Sequence, residues 1–293
     1  MEMLKNAGKA FLFGGCVCLV GQVLIMAFAF TPLYGMGYST IAVLIALGLI
    51  GAIILLMGLA PKMDKFGGMG AMMPFTGLPP AIAQIFMGIS RATGSKGKGF
   101  VGMLMEFFVK ILIPIIGVCV ILGTVYFFTG FGLEYTVPYA PAGVVVVAEG
   151  PPQGVPIGID AISLLFAFLV GGAIMAIAQV IFQVTKLSVG IFFILLATLS
   201  TLLLPLGAMK ALASFSGAGT MVTLFGAGEA IASTWIAFLM SITGVPGGTV
   251  VPFLLVLGLF VFLGALGTLV GAIRMAMDGD NPAGEAPPEG MEL

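Results

Sequence analysis

Long stretches of this chain are free of charge and apolar on all sides, not on one helical face or at alternate positions. No charged residue interrupts 10–61, 66–90, 111–133, 161–185, 187–209 or 230–273. A bilayer-spanning helix needs about 20 consecutive apolar residues, so several of these runs suffice for one span and the first and last for more. The pattern predicts six spanning helices, at 8–30, 38–60, 100–128, 160–184, 188–208 and 250–274. Lys5 and Lys9 ahead of the first run look like the basic start of a signal peptide. The run continues to Phe30, however, and its pattern returns in mid-chain, so it reads as the first span.

The pattern is written twice. Ala10-Phe11-Leu12-Phe13-Gly14-Gly15, leading to Gln22, returns 157 residues later as Ala167-Phe168-Leu169-Val170-Gly171-Gly172, leading to Gln179. Phe66-Gly67-Gly68-Met69-Gly70-Ala71-Met72, with Gly77 and Ala81-Ile82-Ala83, returns 149 residues later. The second copy reads Phe215-Ser216-Gly217-Ala218-Gly219-Thr220-Met221, with Gly226 and Ala230-Ile231-Ala232. The same glycine spacings in the same order read as two copies of one membrane unit, a construction common among transport proteins.

Each copy holds a segment, 66–90 or 215–240, that opens with glycines and then becomes helix-like. Either segment suits a fourth span or a re-entrant element, and positive charge decides between them. With three spans and a re-entrant segment per copy, Lys5, Lys9, Lys62, Lys65, Arg91, Lys96, Lys98, Lys186 and Arg274 share the cytoplasmic side. Lys210 alone is then outside, and Lys110 lies within a span. If the segments cross fully, the best division is six against four, so the positive-inside rule selects the first arrangement. An odd number of spans per copy inverts the second copy relative to the first.

The expected fold is therefore an all-α polytopic membrane protein. It has two inverted-topology repeats, each of three spanning helices plus a broken re-entrant segment. The first repeat is 1–130 and the second 160–277, joined by an external connector at 131–159 with a short strand at 144–147. Residues 278–293, with five carboxylates and three prolines, read as a disordered acidic tail.

Composition removes the other classes. Sixty per cent hydrophobic residues, 8% charged residues and a mean hydropathy of +1.23 exclude a soluble domain. The net charge of −1 says nothing about partners, but the chain has no basic patch of the kind nucleic acid requires, so none is expected. Cys16, Cys18 and Cys119 sit in apolar runs and behave as small hydrophobes. With no histidine in the chain they form no metal site. No nucleophile stands beside a base and no loop cradles phosphate, so neither an enzyme nor a cofactor is expected.

The broken segments are the best candidates for chemistry, because non-helical backbone at membrane depth is tolerated only against protein or a water-filled cavity. Gly68, Gly70, Thr76 and Gly77 in the first copy, and Gly217, Gly219 and Gly226 in the second, either shape a path or simply let helices pack closely. Helices starting near Pro79 and Gly228 would bring two positive dipole ends towards the midplane, a natural place for an anion. Glu229 either balances the second of those dipoles or lines the path. Glu106 and Lys110 share a helical face as an ion pair, or Lys110 attracts an anion at the cytoplasmic mouth. Gln22 and Gln179, equivalent positions in the two copies, either bridge helices or flank a shared path.

Phe13-Gly14-Gly15-Cys16-Val17-Cys18-Leu19-Val20-Gly21-Gln22 resembles the opening helix of the stage V sporulation AC and AE membrane proteins, the SpoVA family. Pro74-Phe75-Thr76-Gly77 with Ala81-Ile82-Ala83 resembles their Pro-x-Thr-Gly segment, and Phe107-Phe108-Val109-Lys110 the start of their last helix. The likeness covers 1–130. In the second copy Pro74 becomes Thr223, Thr76 becomes Phe225, and Lys110 has no basic counterpart. Family members are single units of about half this length, so the chain resembles a fused pair.

The resemblance implies movement of dipicolinic acid, usually with calcium, across the inner membrane of a spore, alongside other SpoVA-type subunits. The expected contacts are membrane lipid and a small anionic solute, in a bacterial cytoplasmic membrane. Two alternatives stand beside a dipicolinate conduit: a tension-gated non-selective channel, and a non-conducting scaffold subunit. A secondary transporter ranks below them, since ion coupling calls for more intramembrane carboxylates than Glu229.

Overall fold

The computed structural model describes residues 2–29, 31, 39–92, 100–133, 161–245 and 247–278. The strand expected at 144–147, most of the external connector, the basic loop at 93–99 and the acidic tail beyond 278 lie outside the described residues.

Among the described residues every named element is a helix, and the one β-type pairing is an isolated bridge. The first half runs α1 (Glu2–Ala29), α2 (Ser39–Leu56), α3 (Ala60–Gly67), α4 (Met69–Met72) and α5 (Leu78–Ala92). It ends in a long rod, α6 (Phe100–Phe107), continued through a π turn (Phe108–Leu112) into α7 (Ile113–Thr129). The second half runs α8 (Ala161–Thr185), α9 (Val189–Leu203), α10 (Ala208–Ser216), α11 (Ala218–Met221), α12 (Leu224–Thr243) and α13 (Val251–Asp278). The π turn has a sequence cause. Pro114 offers no N–H to the carbonyl of Lys110, and the ladder widens for one turn around the gap.

Among the described residues six helices are long and apolar enough to cross a bilayer: Glu2–Phe28, Leu104–Thr129, Ala161–Thr185, Val189–Leu206, Leu224–Thr243 and Val251–Met277. Five of them coincide with predicted spans. The predicted span at 38–60 differs, because α2 stops at Leu56 and the chain bends by 109° into α3. Gly58 sits in that bend with φ 71°, and Arg274 at the end of α13 donates to the Leu56 carbonyl at 3.2 Å. That bond satisfies one of the carbonyls a helix end leaves without an intrahelical partner.

The segment at 215–240 differs too. After its glycine break it continues as the 20-residue α12, itself long enough to span. The reason is compositional: from Glu229 to Thr243 there is neither glycine nor proline, whereas α5 opens on Pro79-Pro80 and meets Gly88 and Arg91 soon afterwards.

α1 and α8 cross antiparallel in close contact. Gly14 faces Met175 and Gly171 faces Cys18, while Gly15 faces Phe168 and Gly172 faces Phe11. Phe11 and Phe168 meet edge to face at 5.6 Å. A β-carbon at any of the four glycines would overlap the opposing side chain, so their absence sets the spacing, as small residues do between membrane helices. Around this pair α12 packs on α7 and α9, and α13 on α5 and α2. Exposed Leu, Val, Ile and Phe side chains cover the outer faces of α1, α7, α8, α9 and α13.

Candidate functional site

Two breaks in the chain fall at equivalent glycines and take the same form. Gly68 between α3 and α4 has φ 52° and ψ −129°, and Gly217 between α10 and α11 has φ 47° and ψ −117°. Both pairs lie in territory that side chains avoid. Each glycine closes the preceding helix, Gly68 N–H donating to Asp64 O at 2.8 Å and Gly217 N–H to Ala213 O at 3.1 Å. The next helix then starts with backbone N–H groups that have no partner within it.

A glutamine from the other half supplies that partner. Met69 N–H donates to Oε1 of Gln179 at 2.7 Å, and Ala218 N–H donates to Oε1 of Gln22 at 2.8 Å. Each first span thus caps the broken segment of the opposite half, and a β-carbon on either glycine would collide with that Oε1.

One turn later the two breaks meet. Pro74 and Thr223 form an antiparallel bridge. Phe75 N–H donates to Val222 O and Leu224 N–H donates to Met73 O, each at 2.9 Å. The two bonds are images of each other under the 149-residue offset, and α5 and α12 start on either side of them.

Next to the first break lies a cavity of about 570 Å³, bounded by Asn6 of α1, by α3 and α4, and by the end of α8. Its size falls in the range of small-molecule sites, roughly 300–1,000 Å³. Asp64, Lys65, Gln179, Gln183 and Lys186 give it a polar wall, and Gly68, Met69 and Met72 form its inner end. Asp64, 7% exposed, accepts a hydrogen bond from Gln84 Nε2 at 2.5 Å, tying α3 to α5. Two lysines against one carboxylate bias the cavity towards anions. Both halves contribute to this wall, but most of it is not repeated at the second break. The counterparts of Asp64, Lys65, Gln183 and Lys186 are Ala213, Ser214, Met26 and Ala29.

The sequence model of the SpoVAC/SpoVAEB sporulation membrane protein family matches residues 6–129 and 163–250. The chain belongs to this family. With six apolar helices of spanning length it is an integral membrane protein, in contact with lipid, and a sporulation family fits the spore inner membrane. Neither a curated protein nor a solved structure matches it.

Within this family member the structure gathers most of the predicted site residues but divides them. Gln22, Gly68, Gln179 and Gly217 form the two clasps. Gly70 lies against the backbone of Ala10, and Gly219 against that of Ala167 and Gly171. Gly77 and Gly226 sit over the carbonyls of Ala71 and Thr220. Only Gly68 and Gln179 of the whole set line the polar cavity.

Three others stand apart. Thr76 faces a lateral apolar groove. Glu229, 4% exposed, borders a separate cavity of about 30 Å³ with Thr40, Phe75 and Phe260, room for a water or two. Lys110 forms an ion pair with Glu106 at 2.5 Å and is half exposed, beside the exposed Val109 and Ile113.

Asp64, Gln84, Gln183 and the roles of Lys65 and Lys186 escape sequence reasoning. Gln179 and Gln183 one turn apart, followed by Lys186, make a polar stripe that helical spacing would reveal. The pairing of Asp64 with Gln84 joins separate helices and leaves no local signal.

Proposed function

We propose that this protein is a channel or transporter component that moves dipicolinic acid, free or as its calcium complex, across the spore inner membrane. We propose also that its two halves are inverted repeats. Inversion is supported by the antiparallel crossing of the equivalent spans α1 and α8, by the bridge between equivalent residues, and by the exchanged glutamine clasps. An axis that reverses equivalent spans lies in the membrane plane, the arrangement of many transporter folds.

The observation that carries the transport reading is the polar cavity ending at the first break. A small aromatic dianion suits a mouth bearing Lys65 and Lys186, and Asp64 on the same wall suits a metal-bound form. Beyond Met69 and Met72 the backbone bridge closes the way, so this is a shut form of the path. That closure lies between the halves, which favours tension gating as the second reading, since lateral separation of the halves would break it.

Timed release of dipicolinate from liposomes holding the purified protein, with and without osmotic downshift, tests the proposal. Lys186→Ala should slow dipicolinate release about three- to ten-fold while sparing a neutral osmolyte, as loss of charge focusing predicts. Equal release of both solutes, unchanged in Lys186→Ala and seen only under tension, would replace the conduit with a non-selective pore. No release from folded, inserted protein would leave a subunit that conducts nothing alone.

A further inference from the structure

A second cavity, of about 420 Å³, opens sideways between α1, α2 and α3. Its walls are apolar: Phe13, Cys16 and Val20 on α1, Leu47 and Ile50 on α2, and Phe66 on α3, with Thr76 as its single hydroxyl. It lies on the outer surface, where Val20, Ile50 and Phe66 are exposed. A cleft in that position faces hydrocarbon. No water is available there to fill it, and left empty its lining would lose dispersion contacts outright.

Charge specifies what fills it. Lys5, Lys9, Phe13, Cys16 and Val20 follow one another at three- and four-residue steps, so the apolar stripe of α1 ends in two lysines. The Nζ of Lys9 stands 5.6 Å above the ring of Phe66, itself a groove residue. We propose that the groove holds an acyl chain of an anionic phospholipid whose phosphate rests on Lys9 and Lys5. Basic residues at the cytoplasmic end of a membrane groove are the feature that selects anionic headgroups. The groove shares Phe66 with the polar cavity, but the proposal does not depend on what that cavity carries.

The second half contains the same scaffold without the lipid features. At the positions of Lys9 and Phe66 it has Phe166 and Phe215, whose rings meet edge-on at 5.8 Å. At the position of Thr76 it has Phe225, 8% exposed. The chain therefore supplies its own test variants: Lys9→Phe removes the headgroup contact, and Thr76→Phe fills the groove.

Native mass spectrometry of the purified protein, equilibrated with equal amounts of phosphatidylglycerol and phosphatidylcholine, reads the outcome. Wild type should retain one phosphatidylglycerol per chain, favoured about five-fold over phosphatidylcholine for each lysine engaged. Lys9→Phe should lose most of that preference and still hold lipid. Thr76→Phe should lower retention of both lipids several-fold. Cys16→Trp fills the groove from the opposite wall and serves if Thr76→Phe fails to fold, judged by circular dichroism and gel filtration. Phosphatidylglycerol retained equally by wild type and the folded groove-filling variant, or no headgroup preference in wild type, overturns the proposal.

Discussion

Replacing Gly68 by alanine should cost about 1.5–4.5 kcal/mol of stability, and replacing Gly217 the same amount. The residue must hold φ 52° with ψ −129°, a conformation that strains a side chain by roughly 1–3 kcal/mol. Its new β-carbon also collides with Oε1 of Gln179, so the bond to Met69 N–H is displaced at a further cost of about 0.5–1.5 kcal/mol. Gly217 has nearly the same backbone angles and the same clash, with Gln22. The two losses should therefore agree within about 1 kcal/mol, since both draw on the same strain and the same bond.

Gly8→Ala is the control. It sits on an exposed helical face with no atom near the new β-carbon, and should be neutral or stabilising by up to about 1 kcal/mol. Unfolding in mixed micelles, titrated with sodium dodecyl sulfate, is readable through Trp235. It is the single tryptophan of the chain and stacks on Phe238 of α12 at 5.0 Å. Gly68→Ala unfolding together with Gly8→Ala would refute the reasoning, because the break would then not need a glycine. A large loss at Gly68 with none at Gly217 would show that the two breaks are not equivalent.

Two further outcomes follow from the same geometry. Gln84→Leu removes the amide that donates to the buried Asp64 and should destabilise by about 1–3 kcal/mol; the double variant with Asp64→Leu should lose less than the sum of the two single losses, measured by the same titration. Lys110→Ala removes a half-exposed ion pair on the outer face and should change dipicolinate release less than about two-fold, since such pairs contribute little. A ten-fold drop would return Lys110 to the path.

What could be read in the chain was what repeats locally. The glycine motifs marked Gly68 and Gly217, and these do adopt one conformation, because a φ of about 50° with a ψ of about −120° is open to glycine and strained for a side chain. The paired glutamines were visible as equivalents, but their capping role was not, since each bonds to backbone more than a hundred residues away. The polar cavity was hidden for the same reason. Its wall takes Asp64 and Lys65 from one half and Gln179, Gln183 and Lys186 from the other, and each alone looks like an ordinary membrane-edge polar residue.

The sequence by itself determined that this is a helical membrane protein, because apolar runs of about 20 residues or more fit a spanning helix and not the short alternating strands of a barrel; its glycine motifs carried the likeness to the sporulation family. It also marked the breaks at Gly68 and Gly217, though not the bend after Leu56. Which glutamine caps which break and which polar side chains share a cavity were decided only in the tertiary structure. Those outcomes depend on how α1 and α8 cross, and that crossing is set by contacts between side chains far apart in the chain.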